Sequence, residues 1–166
     1  MGGSTENRAS GGLAGEQTYS GAFTWNRAES MLPLVRGIVA DILGCEQRLA
    51  GMYAEKDTLD RNRRSLAWPE RSRRYQLHEE ITAAEQDLRD ALTELEALGV
   101  VLIEPESGQI GFPTLVDDQP AYFSWKPGED GLLHWHYADS ATRQAVPPAW
   151  TKPPEPRRRS RSGPRA

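Results

Sequence analysis

The chain has 166 residues, with three histidines, one cysteine and a formal net charge of −4. A lone cysteine excludes an internal disulfide framework, and no apolar run is long enough to span a bilayer, so we expect a cytoplasmic protein with no membrane partner. The charge is uneven: residues 61–74 hold six arginines and one glutamate, whereas residues 75–151 hold fourteen acidic and three basic residues.

The N-terminal segment, residues 1–22, is predicted to be disordered. It is rich in Gly, Ser and Thr and has almost no large apolar side chain, so burial cannot offset the entropy lost on ordering. Met1 is followed by Gly2 and Gly3 rather than by basic and then apolar residues, and we therefore expect no secretory signal.

The first predicted helix, over about residues 25–66, rests on a seam of residues at alternating spacings of four and three. This heptad pattern is typical of a helix that packs lengthwise against another helix. Thr24 can cap its start, and Pro33, which lacks a backbone N–H, predicts a kink or a fresh start of the helix. The seam is Met31, Val35, Ile38, Ile42, Cys45, Leu49, Met52, Lys56 and Leu59, and only the lysine interrupts it.

A second seam with the same spacing predicts a helix over about residues 69–98. Pro69 and Glu70 suit its first turn, and Gly99 suits the left-handed position after its last turn. Because the connection is short, we expect the two helices to be antiparallel neighbours. The second seam is Leu77, Ile81, Ala84, Leu88, Ala91, Leu95 and Leu98.

After Gly99 the apolar residues recur with a period of two, which predicts four short strands within residues 100–137. Turn sequences separate them, among them one at 105–108 and one at 117–120, so the strands should form an antiparallel meander. So small a sheet needs a helix to pack against. The predicted fold class is therefore α+β: a long, coiled-coil-like antiparallel two-helix hairpin plus a small antiparallel β-meander, with disordered termini.

These patterns divide the chain into three parts. Residues 23–143 form the hairpin with its C-terminal β-unit, after the N-terminal segment at 1–22. Residues 144–166 are rich in proline and arginine and are predicted to be a disordered tail.

Five arginines surround the predicted helix–helix connection and are the candidates for anion or nucleic-acid binding. Those that follow the connection lie at a helix N-terminus, where free N–H donors and the helix dipole favour an anion. Trp68 in the same region could stack on a base. The alternative interpretation is a solvated, solubilising tip. The five candidates are Arg63, Arg64, Arg71, Arg73 and Arg74.

The candidate metal ligands are two histidines of the last predicted strand. His134 and His136 are two residues apart, so both imidazoles project from one face of the strand and could bind zinc or a similar divalent transition metal. A third ligand would have to come from Glu104, or else from Asp117, Asp118 or Asp139. The alternative is that the histidines are ordinary sheet residues beside Trp135.

Several short motifs resemble the uncharacterised family called domain of unknown function 2203. They are Phe23-Thr24 with Met31-Leu32-Pro33-Leu34-Val35-Arg36, Leu98-Gly99-Val100, Gly108 to Phe112-Pro113, Tyr122-Phe123-Ser124-Trp125-Lys126 and His134-Trp135-His136. The resemblance covers about residues 23–143 and implies no established reaction, only a loose metal-binding association. The chain departs from the family pattern at Gly111, Ser124 and Tyr137, where the family commonly has potential metal ligands, and this weakens the metal hypothesis.

We therefore predict a cytoplasmic, non-enzymatic, coiled-coil hairpin interaction module that binds a protein partner or itself through its helices. No cofactor is predicted. The first alternative is a protein that binds a divalent transition metal through the histidines of the β-unit. The second is an RNA or polyanion binder that uses the basic hairpin tip and the tail.

Overall fold

The computed structural model describes residues 21–152, and the expectations for residues 1–20 and 153–166 lie outside that range. The fold is α+β, as predicted: two helices followed by an antiparallel sheet, which has five strands rather than the predicted four. The elements are α1 (Trp25–Arg61), α2 (Trp68–Ala97), β1 (Val101–Glu104), β2 (Gln109–Val116), β3 (Gln119–Trp125), β4 (His134–Tyr137), β5 (Gln144–Ala145) and a short 3₁₀ helix (Pro148–Thr151).

The ends of both helices follow the sequence signals. Thr24 accepts a hydrogen bond from the Arg27 backbone N–H, at 3.3 Å, and α1 begins at the next residue. Pro69 lies in the first turn of α2, and Gly99 adopts φ = +77° directly after that helix. Such a left-handed residue is how many helices end, because glycine has no Cβ to clash there.

α1 differs from its prediction at two points. Pro33 lies inside one uninterrupted helix, so the expected fresh start at this proline is wrong. The helix also ends at Arg61 rather than near residue 66. Residues 62–65 instead form a turn, in which the Ser65 N–H donates to the carbonyl oxygen of Asn62 at 2.9 Å.

The two helices are antiparallel, as contacts between their side chains show. Arg48 of α1 lies opposite Asp87 of α2, at 3.9 Å, whereas Asp60 near the end of α1 pairs with Arg74 near the start of α2. Residues later in α1 therefore lie opposite residues earlier in α2, so the two helices run in opposite directions. A short connection imposes this arrangement.

The five strands lie in the order β1-β2-β3-β4-β5, each antiparallel to the next. A tight turn joins β2 and β3, in which Asp117 and Asp118 have φ of +51° and +60°. Two successive residues with positive φ are typical of the type I′ turn, whose twist matches that of the strands it joins. β2 extends to Val116 because it pairs with β3 continuously from Ile110 to that residue.

The main core lies where the first half of α1 packs against one face of the sheet. Leu32, Val35 and Ile42 of α1 are buried there with Phe112 and Phe123 of the sheet. The β1–β2 turn also touches α1: a Cβ added at Gly108, which has φ = +72°, would approach side-chain atoms of Leu43 and Val39 to 2.9 Å. This end of the hairpin is therefore fixed to the sheet.

The other half of the hairpin is held by a smaller apolar cluster. Leu49 of α1 is buried with Ile81 and Ala84 of α2, and Met52 and Leu88 are only partly buried against them. No strand residue belongs to this cluster, so the distal half of the hairpin extends beyond the sheet. Within residues 21–152 we found no helix with the length and apolar character needed to cross a membrane.

The predicted disordered tail is wrong for residues 144–152. This stretch contains β5 and the 3₁₀ helix, and its Trp150 ring contacts the rings of Phe123 and Trp135, with centroids 6.1 and 5.3 Å apart. Val146 donates its backbone N–H to the Leu133 carbonyl at 2.9 Å. The high proline content concealed two apolar residues, Val146 and Trp150, that fix the segment to the sheet.

Candidate functional site

The first candidate site is the hairpin tip, which we define as residues 60–75. Leu66 in the connection is buried, as is Leu77 just beyond it on α2, and these side chains close the end of the hairpin. The Ala67 N–H donates to the Glu70 carboxylate at 2.9 Å, so the free N-terminus of α2 is partly capped by its own chain. The tip is therefore an ordered turn with a defined surface.

Two of the predicted anion-binding arginines are bound to acidic residues of the chain itself. Arg73 donates to Glu55 at 2.8 and 3.0 Å and to Glu80 at 2.9 Å, and Arg74 forms an ion pair with Asp60. Arg73 and Arg74 therefore already have anionic partners in the described chain, and their binding of an external anion stays a prediction.

The pKa of the Asp60 carboxyl is lowered by its basic neighbours. Hydrogen bonds from Lys56 and then Arg74 lower the pKa of the Asp60 carboxyl to about 2. Hydrogen bonds to the charged form favour ionisation, so Asp60 is a stable anion across the physiological range. It offsets part of the positive charge at the tip.

The other three predicted arginines form no ion pair with any residue of the described chain. Arg63 and Arg64 are exposed in the connection, and Arg71 donates its Nε–H to the Leu66 carbonyl at 3.1 Å. Arg71 lies three residues after Trp68 and four before Tyr75, so the three side chains are neighbours on one face of α2. Trp68 is 72% exposed and Tyr75 is 69% exposed.

We call this row of three residues, Trp68, Arg71 and Tyr75, the aromatic–arginine face. Within residues 21–152 the two rings contribute little to the packing of the hairpin, because they are largely in solvent. Trp68 was predicted from the sequence as a stacking residue and Tyr75 was not, although a spacing of seven residues on a helix places the two on one face.

The second candidate site is the face of the sheet opposite α1, which carries the two histidines. In the pairing of β3 with β4, Tyr122 lies opposite His136 and Ser124 lies opposite His134. Because side chains alternate along a strand, these four residues share one face. The structure therefore brings the two predicted histidines together, as their spacing indicated.

The tautomer of a neutral His136 ring follows from its hydrogen bond. Its side chain is 4% exposed, and its Nδ1 lies 2.8 Å from the carbonyl oxygen of Tyr137. A carbonyl only accepts, so in the neutral ring Nδ1 carries the proton and Nε2 keeps its lone pair. The Nε2 atom is buried and has no hydrogen-bond partner in the described chain.

His134 lies beside a half-buried ion pair. Its Nδ1 is 3.4 Å from Glu129 Oε1 but is not aligned for a hydrogen bond. Glu129 instead accepts from both terminal nitrogens of Arg143, at 2.7 and 2.8 Å, and the Nε of Arg143 donates to Ser124 Oγ at 3.0 Å. This pair links the loop after β3 to the start of β5, which is a structural role.

The predicted third metal ligand, Glu104, does not join the histidines. It lies on β1, three strands from β4, or about 14 Å at the usual spacing between strands. Its carboxylate is hydrogen-bonded to Ser107 and lies 3.6 Å from Lys126 Nζ. Within residues 21–152, no three His, Cys, Asp or Glu side chains are grouped so that they could hold a metal ion.

We expect acid to destabilise the protein partly through Glu129. Burial opposes ionisation of this carboxyl, but hydrogen bonds from Arg143 and from the Lys126 backbone outweigh burial and lower the pKa of Glu129. A lowered pKa adds stability above the unfolded value of about 4.3, and this contribution is lost as the pH falls through the folded value. Arg143→Gln should therefore flatten or reverse the loss of unfolding free energy below about pH 4.5.

Denaturant unfolding at several pH values between 2 and 7 measures this effect. Arg89→Gln is the matched control, since Arg89 is exposed and forms no ion pair within residues 21–152. Parallel stability curves for the wild type and Arg143→Gln would show that the Glu129 pair does not set the acid response.

Comparison with known proteins gives a family but no assigned activity. A family model described as "Uncharacterized conserved protein (DUF2203)" matches residues 22–145. No curated protein and no solved structure matches the chain. The matched residues run from the start of α1 into β5 and so include both candidate sites. The chain therefore belongs to the family of uncharacterized conserved proteins DUF2203.

Proposed function

We propose that this protein is a non-enzymatic interaction module that binds a protein partner through the aromatic–arginine face at its hairpin tip. One observation supports this most strongly: Trp68 and Tyr75 are 72% and 69% exposed on one helix face, with Arg71 between them. Trp, Tyr and Arg are the residue types that contribute most binding energy at protein interfaces. An exposed row of them is typical of a surface that is covered by a partner.

The shape of the hairpin supports the same function. Ile42 is the last fully buried α1 residue of the core that includes the sheet, and α1 continues to Arg61. At 1.5 Å per residue, the tip extends about 28 Å beyond that core. A partner could therefore cover the tip without contacting the sheet, while the sheet and the base of the hairpin keep the fold intact.

A capture experiment tests the proposal. The immobilised full-length chain should retain a specific protein from a nuclease-treated cell extract, and Trp68→Ala/Tyr75→Ala should lose it. Leu34→Ala/Leu133→Ala is the matched control, since these apolar side chains are 52% and 54% exposed but lie away from the tip. Equal capture by the wild type and the tip variant would contradict the proposal.

The second candidate is binding of RNA or another polyanion at the same tip. The observation in its favour is that Arg63, Arg64 and Arg71 lack an acidic partner within residues 21–152 and lie near Trp68 and Tyr75. Arginines that track a backbone and rings that stack on bases are the elements of sequence-tolerant single-strand binding. Capture that disappears on nuclease treatment, with affinity falling steeply with salt, would favour this candidate.

Metal binding by the β-unit is the remaining candidate, and only the free Nε2 lone pair of His136 favours it. We expect the purified full-length protein to retain no stoichiometric zinc, iron or nickel, because two imidazoles without a grouped third ligand hold such ions weakly. Elemental analysis of the purified chain measures this. Near-stoichiometric metal that disappears in His136→Gln would overturn the expectation.

A further inference from the structure

One flank of the hairpin carries an open groove between α1 and α2, which we call the lateral groove. It encloses about 550 Å³, and the residues that line it include Asp41, Gly44 and Arg48 of α1 and Asp87, Asp90 and Glu94 of α2. A Cβ added at Gly44 would meet no atom within 4 Å, so the groove is open beside this residue. No element of the described chain covers this flank.

The lateral groove is acidic. It presents four carboxylates and one guanidinium group, and the ion pair of Arg48 with Asp87 is long, at 3.9 Å, with both side chains 61% exposed. Asp90 accepts a hydrogen bond from the neutral Gln86, at 2.7 Å. Asp41 and Glu94 have no ion pair within residues 21–152. The groove therefore has unneutralised negative charge that a cationic chain would complement.

The described chain ends on the same side of the hairpin. Asn26 Nδ2 donates to the carbonyl oxygen of Lys152 at 3.4 Å, which fixes the last described residue against the start of α1. Asn26 and Gly44 are 18 residues apart, or five helical turns, so both lie on one face of α1 about 27 Å apart along its axis. The next residue of the chain thus starts below the lateral groove.

The sequence that follows has the charge and the length to reach the groove. Residues 153–166 contain five arginines and one glutamate, with four of the arginines within residues 157–161. At about 3.3 Å per extended residue, Arg157 can lie about 16 Å and Arg161 about 30 Å beyond Lys152. Asp41 lies about 22 Å along α1 from Asn26, which is within this range.

We propose that residues 157–161 lie along the lateral groove, with their guanidinium groups against Asp41, Asp90 and Glu94. The tail is tethered at Lys152, so its local concentration at the groove is on the order of millimolar and a weak contact is enough to populate the docked arrangement. The groove is then an intramolecular binding site for the arginine segment. This inference does not depend on what the hairpin tip binds.

Paramagnetic relaxation measured by NMR tests the proposal on the full-length chain. A spin label is attached at Ser160→Cys in a Cys45→Ala background, so that the label has one attachment site. The account predicts that amides of residues 41–48 and 87–94 are broadened at low salt, and that the broadening falls at least several-fold at 0.5 M NaCl because charge screening weakens the contact.

Matched variants show whether the tail contacts the lateral groove or any acidic surface of the protein. Asp41→Asn/Asp90→Asn/Glu94→Gln should abolish the broadening, whereas Asp57→Asn/Glu96→Gln/Glu106→Gln removes the same charge outside the groove and should leave it. Equal broadening in both variants, or broadening centred on the sheet, would overturn the proposal. Broadening in a mixture of spin-labelled and isotope-labelled chains would also overturn it, in favour of contact between copies.

Discussion

Phe112→Ala should lower the free energy of unfolding by about 3–5 kcal/mol, the largest stability effect we expect from a single substitution. The Phe112 ring is fully buried in β2, lies opposite Phe123 of β3 and meets the Phe23 ring edge to face at a centroid distance of 5.3 Å. Truncation removes the burial of the ring and leaves a cavity that the surrounding strands and α1 can fill only in part.

Denaturant unfolding of purified Phe112→Ala measures this loss. Leu133→Ala is the control, since its side chain is 54% exposed and its removal should cost less than about 0.5 kcal/mol. A loss below about 1 kcal/mol for Phe112→Ala would contradict the account in which the base of the hairpin and the sheet share one core.

The second large effect concerns binding rather than stability. With the purified partner, Trp68→Ala/Tyr75→Ala should weaken binding at least about 30-fold, which corresponds to the 2 kcal/mol typical of interface residues that dominate affinity. The melting temperature should stay within about 2 °C of that of the wild type, because the rings removed are mostly in solvent. Calorimetric titration and thermal unfolding measure the two quantities.

Two control variants test whether a loss of binding is due to the two aromatic rings themselves. Leu34→Ala/Leu133→Ala should bind as the wild type does, which excludes a general loss of exposed apolar surface. Trp68→Phe/Tyr75→Phe should retain most of the affinity, since the rings remain. A tip variant that loses affinity only because it melts at a much lower temperature would contradict the assignment of the face to binding.

The helices could be predicted because their signals are local. Seam spacing, the Thr24 cap, Pro69 and Gly99 each act within a few residues of the chain, and the helices begin and end close to these positions. The degree of burial could not be predicted. Leu32 and Val39 lie off the seam yet are buried, because the first half of α1 also packs against the sheet. The heptad seam of α1 indicates its packing against α2 but not its packing against the sheet.

Non-local contacts explain the other differences. Trp150 contacts Phe123 of β3, and Val146 donates a hydrogen bond to Leu133. The proline-rich composition of the tail does not indicate either contact. The pairing of Glu129 with Arg143 joins a loop to the start of β5, fourteen residues later. The engagement of Arg73 and Arg74 depends on which α1 carboxylates the antiparallel register places opposite them. Spacing along one element cannot predict such pairs.

Those features of the candidate sites that depend on local spacing could be predicted, and those that depend on non-local contacts could not. The shared face of His134 and His136 follows from the two-residue period of a strand, and the structure has them on one face. The separation of Glu104 from the histidines follows from the meander order, which places β1 three strands from β4. At the tip, the basic character was evident in the sequence, whereas the exposure of Tyr75 and the neutralisation of two arginines required the register of the hairpin.

Site-specific photo-crosslinking in cells tests whether the hairpin tip binds a protein partner, since it captures a partner of any identity. A photoreactive phenylalanine derivative replaces Tyr75 at the tip, Leu34 near the base of α1 or Leu133 beside the sheet, all three of which are exposed positions. The account predicts a discrete protein adduct from position 75 and only background adducts from positions 34 and 133. Adducts from position 34 or 133 with none from position 75 would contradict it.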